Sequence, residues 1–427
     1  MSRFTSPLLA GLILSGYQLT GHAAGFALSE QSGSGLGNAY AGAAAVAEDA
    51  STIYFNPAGM TYIQGRQLVG ALHTIRTTGD FDNQGSIAGG GRPLGGEGGD
   101  FGGWAFLPNL YYKQDLTEQL KFGIGVGTPF GLKTEYDRNW LGRFQAVKSE
   151  LKTVNINPSL AWKVNDQWSL GLGFSAMWAE AELTSAVNLG AGESFVRNKG
   201  KDWGFGYNLG AIYQVTPDTR LGLAYRSKVE QHLKGDVRSP LAAFNGNPAA
   251  TLNTDISADI TLPETLSFSA FSRLDERWDL LTDITWTRWS QFKELKIQRE
   301  NGSGTIVGSP VIEHWNNVLR YSVGLNYRYT DTLKLRTGLA YDDEAIDNEH
   351  RTARIPGNDR IWLSLGASWQ YSPETKLDVG YTHLFIRDAR ISDDQTPPAA
   401  PIPGRGLIAG KYEGSADILS VQLTHNF

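Results

Sequence analysis

The sequence predicts an all-β fold: a 14-stranded antiparallel transmembrane β-barrel with an N-terminal hatch (plug) domain inside the lumen. Three observations predict it. Segments in which apolar residues alternate with polar or small ones follow one another along most of the chain. Short polar turns and longer polar or Gly/Pro-rich connections alternate strictly between them. A stretch of Gly, Ala and Ser near the N-terminus has no strand pattern and too few large side chains to form a core of its own.

Composition narrows the alternatives. The 427 residues include 50 Gly, 12 Trp, 17 Tyr and 18 Phe, and no Cys. No apolar run beyond the N-terminus reaches the roughly 18 residues that a spanning helix needs. With no Cys there is no disulfide framework. A net charge of −6 without a basic cluster leaves no footprint for nucleic acid.

Taken in order, residues 1–23 read as a secretory signal peptide. Arg3 precedes an apolar run from Pro7 to Leu14, and small residues lead to a cleavage site after Ala23 or Ala24. Removing Arg3 with this segment takes the net charge from −6 to −7. Residues 24–62 are left for the plug. They contain SGSGLGNAYAGAAAVAEDASTIYFNPAGM, which ends in the turn-forming Asn56, Pro57, Ala58 and Gly59. Small residues let a chain fold compactly against barrel walls, with its backbone polar groups met by lumen side chains. The glycines at 33, 35 and 37 do not make a nucleotide loop, because no strand precedes them in a βαβ unit.

Residues 63–427 supply the strands. In 318–329, Leu319, Tyr321, Val323, Leu325, Tyr327 and Tyr329 share one face, and Arg320, Ser322, Gly324, Asn326 and Arg328 the other. The same split recurs at 168–178, 333–341, 361–371 and 377–385. Short turns lie at 114–119, 164–167, 215–219, 274–277, 329–332 and 371–375. Long connections lie near 78–100, 134–149, 184–199, 235–253, 300–310, 342–353 and 391–410. Seven long connections and six short ones give 14 strands, an even number, with every long loop at one end. Trp162, Trp168, Trp178, Trp203, Trp278, Trp286, Trp289, Trp315 and Trp369 sit at strand ends, where interfacial girdles form. The chain closes ILSVQLTHNF, with Leu419, Val421, Leu423 and Phe427 on one face.

In the connection 134–149, Trp140, Leu141, Phe144 and Val147 recur at near-helical spacing, an apolar stripe in a polar loop. It reads either as a substrate-capture groove or as a loop helix packing on its neighbours. No nucleophile-elbow pattern appears and the seven histidines are scattered, so no enzyme, cofactor or metal site is expected. A diffusion porin is the rival reading, but it would need an open lumen and a charged constriction where this chain places a plug.

Ala24-Gly25-Phe26, SGSGLGNAYAGAAAVAEDAS and Asn56-Pro57-Ala58 resemble the start of the long-chain fatty acid transporter (FadL) family, which includes aromatic-hydrocarbon uptake channels. The resemblance continues in KFGIGVGTPFGLKTEY, WSLGLGFSAMWAEAEL, ITWTRWSQFKEL, LKLRTGLAYDDEAI and RIPGNDRIWLSLGASW, over essentially the whole mature chain. It implies a monomer in the Gram-negative outer membrane, amid lipid and lipopolysaccharide. It also implies capture of a hydrophobic small molecule (fatty acid, detergent-like amphiphile or hydrocarbon) at extracellular loops, an internal pocket, and lateral release through a kink in the third strand. By resemblance, Phe26 borders the pocket, and Ala24, Gly25, Asn56, Pro57 and Ala58 are hatch residues. Pro129, Phe130 and Gly131 match the kink; a plain strand end before a loop is the alternative. The family's basic partners for a carboxylate have no match here. No Lys or Arg lies between Lys163 and Arg197, where Glu180 and Glu182 stand instead, and the second expected position falls near Val311. Arg226, Arg320, Arg328 and Arg336 face the lumen by parity, and Arg320 and Arg336 are taken as substrate contacts in their place. The departure leaves room for alkanes, aromatics or other amphiphiles.

Overall fold

The computed structural model describes residues 25–188, 192–239, 252–300, 311–396 and 404–427. The expected signal segment, Ala24 and the centres of several long connections lie outside them. Fourteen strands form one closed antiparallel sheet. They are β1 (Gln67–Asn83), β2 (Gly103–Asp115), β3 (Leu120–Gly127 and Gly131–Glu135), β4 (Lys148–Lys163), β5 (Trp168–Asn188), β6 (Glu193–Thr216) and β7 (Thr219–Arg226 and Val229–Ser239). Then follow β8 (Leu252–Leu262 and Thr265–Arg273), β9 (Trp278–Thr287), β10 (Val318–Arg328), β11 (Leu333–Asp342), β12 (Arg360–Gln370), β13 (Thr375–Ile386) and β14 (Gly406–Asn426). The barrel closes where β1 pairs β14, from Gln67 opposite Asn426 to Asn83 opposite Gly410.

The alternation read from the sequence becomes the two faces of the wall. Leu170, Leu172 and Phe174 of β5, Tyr321 and Val323 of β10 and Leu363 and Leu365 of β12 are exposed on the outside, where lipid would cover them. Their neighbours face inward and are buried. Trp162, Trp168, Trp203, Trp278 and Trp369 are exposed near strand ends. Trp289 and Trp315 are not girdle residues: they are 1% and 2% exposed, because the chain after Thr287 turns into the lumen instead of staying in the wall. The loop expected at 184–199 is also corrected. There β5 and β6 stay paired out to Asn188 and Glu193, at 21 and 24 residues. A tilted spanning strand needs only about 9–11 residues, so this hairpin rises well clear of the membrane.

Inside the barrel lie three single-turn helices, α1 (Gly33–Leu36), α2 (Ala43–Val46) and α3 (Thr52–Phe55), and a 3-10 turn, Pro57–Tyr62. The plug can be so short of large side chains because its backbone packs directly on the wall. A Cβ added at Gly222 would stand 2.0 Å from Ala44 O, and one at Gly338 would stand 2.2 Å from the Asn38 carbonyl carbon. Wall and plug side chains cap the backbone ends that such short helices leave open. Asn38 Nδ2 donates to Leu325 O and Thr337 O at 3.1 Å each. Gln422 Oε1 accepts from Gly33 N at 2.9 Å, and Arg226 donates to Tyr54 O at 2.6 Å.

One ionic cluster ties the plug to the barrel floor. Glu48 accepts from both ends of the Arg336 guanidinium at 2.8 Å and from Lys334 Nζ at 2.8 Å, with Lys376 Nζ at 3.3 Å. Arg336 also meets Asp378 at 2.9 Å. Burial alone would raise the Glu48 carboxyl, but Arg336, Lys334 and Lys376 together hold it well below its ordinary range. Removing one partner from such a cluster strands the others. Glu48→Ala is therefore expected to cost about 3 kcal/mol of local stability, read as faster hydrogen exchange of plug amides at 33–55. Unchanged exchange would show that the cluster does not hold the plug.

Candidate functional site

The break in β3 is a matter of register. Gly127 lies opposite Asn155 of β4, and Gly131 opposite Lys152, so four steps on β3 oppose three on β4. The extra residue falls in 128–130, where Pro129 has no N–H to give to a ladder. On the other flank, β2 pairs β3 only from Leu110 opposite Val126 to Asp115 opposite Lys121. Above that level, no ladder joins β2 to the second piece of β3. The wall is parted there.

The plug supplies what the ladder lacks. Leu28 N donates to Pro129 O at 2.8 Å, Gly131 N to Phe26 O at 3.0 Å, and Gln31 Nε2 to Thr128 O at 2.8 Å. Phe130 turns its own amide onto Thr153 Oγ1 of β4 at 3.1 Å. Residues 26–28 thus serve as a one-bridge strand in the gap, Ala27 opposite Phe130.

Behind that bridge is an aromatic cage. The Phe26 ring lies 4.7 Å from Trp289, 5.7 Å from Phe292, 5.6 Å from Trp315 and 6.2 Å from Phe130, mostly edge to face. Each such pair adds about 0.5–1.5 kcal/mol beyond the area it buries. Gly25, at φ +62°, has no room for a side chain: a Cβ would stand 2.5 Å from Trp315 and 2.7 Å from Trp289.

Phe26 also lines a mostly apolar cavity, walled by Leu132, Leu151, Leu233, Ile260, Phe292 and Ile355 among others. Two polar residues on its wall have no ion-pair partner among the described residues. Glu313 is 2% exposed, and its Oε2 accepts from Trp315 Nε1 at 2.9 Å. Burial pushes its carboxyl up to about 8, against the Trp315 hydrogen bond and the nearby Arg354, so it holds a proton at neutral pH. Arg354 donates to Ser149 Oγ at 3.1 Å, Gln145 O at 2.7 Å and, weakly, Lys148 O at 3.4 Å, all neutral oxygens. Burial, then Arg405, lowers it to about 10, which leaves it charged. A second, more polar cavity lies past Ala27 and Trp289, lined by Tyr40, Tyr54, Thr265, Asp283, Arg320 and Asp342 among others.

The remaining sequence-predicted residues fall in three places. Gly25, Pro129, Phe130 and Gly131 sit at the cage and break just described, and Ala24 lies outside the described residues. Asn56, Pro57 and Ala58 form the start of the 3-10 turn against β5 to β7: Asn56 Nδ2 donates to Ala44 O at 2.7 Å and Ala211 O at 3.1 Å. The stripe of Trp140, Leu141, Phe144 and Val147 forms no exposed groove and no helix. All four are buried in turns beneath the outer end of the barrel. Trp140 stacks on Tyr136 at 3.8 Å and donates to Ala146 O at 2.6 Å. The arginine expectation is likewise corrected. Arg336 is committed to Glu48 and Asp378, and Arg320 donates to Ala39 O at 2.7 Å. Neither lines the apolar cavity. Two polar groups that do, Glu313 and Arg354, were missed because they lie in connections, where strand parity gives no orientation. Among the described residues no cluster of His, Cys, Asp and Glu could hold a metal.

Residues 16–427 match the family model described as outer membrane protein transport protein (OMPP1/FadL/TodX). The chain is 30% identical over 411 residues to the long-chain fatty acid transport protein of Escherichia coli K12, covering 87% of this chain and 90% of that one. It is 31% identical over 446 residues to outer membrane protein P1 of Haemophilus influenzae, covering 93% of each. A solved Pseudomonas aeruginosa FadL homologue is similar with a TM-score of 0.86 at 25% identity, over 95% of this chain and 100% of that one. The toluene transporter TbuX of Ralstonia pickettii shares the fold, at a TM-score of 0.67 and 19% identity over 95% and 99% of the two chains. A parted third strand bridged by a plug, inside a closed barrel of fourteen strands, is thus found in a chain that belongs to the OMPP1/FadL/TodX family of outer-membrane transport proteins.

Proposed function

We propose that this barrel passively takes up long-chain fatty acids or related amphiphiles across the outer membrane. The ligand rests in the apolar cavity and leaves sideways into the outer leaflet through the parted wall beside β3. One observation carries the reading: Phe26 belongs to both places. Its ring lines the cavity, and its carbonyl closes the break by accepting from Gly131. A ligand that displaces Phe26 therefore loosens the bridge it must pass.

The energetics suit such a route. An alkyl chain gains about 0.8 kcal/mol per CH₂ on leaving water, so a greasy path needs no fuel. Arg354, charged and facing only neutral oxygens, is our candidate partner for a carboxylate head, in place of the basic residues this chain lacks on β5 and before β10. Capture, on this reading, occurs where 294–299 and 354–355 border the cavity, since the Trp140 stripe is sealed.

Deleting Pro129 would make three steps oppose three and restore the ladder between β3 and β4. Uptake of a radiolabelled long-chain fatty acid by cells is expected to drop to the level of cells without the protein, while the purified variant still binds ligand. Undiminished uptake would rule out the lateral exit.

Glu313 adds a pH dependence. Its folded value of about 8 lies above the ordinary 4.5. The stability it lends is complete below the ordinary value and is lost as pH rises through about 8. Above that pH its new charge competes for Arg354 and repels a carboxylate. Fatty-acid binding to the purified protein should weaken several-fold from pH 7 to pH 9.5, and Glu313→Gln should flatten the profile. A wild-type profile without that decline would remove Arg354 as the head-group partner.

A further inference from the structure

Among the charged groups on the wall of the apolar cavity, two of opposite character, Glu313 and Arg354, have no ion-pair partner among the described residues. Arg354 is a cation bonded to three neutral oxygens. Glu313 is a buried acid whose protein partner is one indole N–H. A lone buried acid is expensive, and the usual remedies are a cation or an apolar replacement. The fold uses neither, although Arg354 lines the same cavity. The Trp315 bond does not require an acid, since an amide oxygen would accept that indole N–H as well.

A simple alkyl carboxylate would satisfy Arg354 and leave Glu313 facing hydrocarbon. An alkane or aromatic hydrocarbon would leave both unmatched. A head group with a second oxygen close to its carboxylate would answer both. A hydroxyl there can donate to a Glu313 oxygen or accept its proton, so the match holds in either protonation state.

We propose that Glu313 and Arg354 together form a two-point head-group site, so that the preferred ligand is a long-chain acid with a hydroxyl near its carboxylate. The assignment rests on the hydrophobic-uptake reading above and refines its substrate class. It makes Glu313 a specificity-determining residue. A site built to bond a ligand hydroxyl discriminates against the analogue that lacks it, because its own buried group is then left open.

The test uses purified full-length processed protein and displacement of a fluorescent fatty acid. The competitors are 3-hydroxyhexadecanoic acid, hexadecanoic acid and hexadecanol. In the wild type the hydroxy acid should bind roughly three- to ten-fold more tightly than the parent acid, the range expected for one hydrogen bond. In Glu313→Met the ratio of the two should collapse to about one, the expectation when that bond has no partner. In Arg354→Met both acids should lose their advantage over the alcohol. Equal affinities for the two acids in the wild type, a comparison that needs no variant to fold, would overturn the proposal and leave the uptake reading intact. A hydroxyl preference that survives in Glu313→Met would overturn it as well. Failure of all three competitors to displace the probe from the wild type would overturn the uptake reading and this proposal with it.

Discussion

In lipid a backbone polar group has no water to fall back on, so a spanning sheet must bond every strand to two neighbours. That constraint governs this molecule. The seams can be followed as ladders round to the closing one between β1 and β14, and the one between β2 and β3 stops short, at Leu110 opposite Val126. Where β2 and β3 part, the deficit is met from inside: Phe26, Leu28 and Gln31 bond the carbonyls and amide that Thr128, Pro129 and Gly131 turn away from the sheet. The N-terminal segment thus completes the wall as well as filling the lumen.

The interior around it is divided by chemistry. On the side of β3 to β8 many inward residues towards the outer end are apolar and border the apolar cavity, while Arg226 and Ser269 on the same side reach the plug. On the side of β10 to β13 the inward residues are charged or hydroxylic and meet the plug directly, through Arg320, Arg336, Asp378 and Thr382. The plug is therefore pinned on both sides, through Glu48 on one and through Asn56, Arg220, Arg226 and Ser269 on the other, while its first residues beside the cavity are held by ring contacts and backbone bonds. Three lumen arginines are engaged by the plug: Arg226 donates to Tyr54 O, Arg320 to Ala39 O and Arg336 to Glu48.

How far the sequence reveals this depends on which physical rule is at work. Period two, combined with short turns and long connections in alternation, specifies strand number, membrane faces and orientation, and Leu172, Tyr321 and Leu365 lie outward as that rule requires. Small residues in 32–60 point to a plug because close backbone approach needs them. What parity cannot reveal is what an inward side chain meets. Arg320 and Arg336 do face the lumen, but the plug reaches them first. Loop residues are harder still. The Trp140 stripe looks like an open groove until Phe81, Tyr136 and Tyr412 close over it, and Trp289 and Trp315 look like girdle residues until the chain dips inward. Glu313 and Arg354 stand 41 residues apart in connections and line one cavity only because β10, β11 and β12 bring their ends together. No local pattern marks such a pair.

The plug's bonds also bear on how the chain is assembled. Its partners run from Asn109 on β2 to Gln422 on β14, the latter 389 residues beyond Gly33. Helices of one turn cannot persist alone, so the plug has no fold until those partners exist. Yet it precedes every strand in the order of synthesis, and β14 is the last strand. It must wait for more than three hundred residues to be laid down before those partners exist, and the glycines at 222 and 338 are the spaces in the wall that its backbone then occupies.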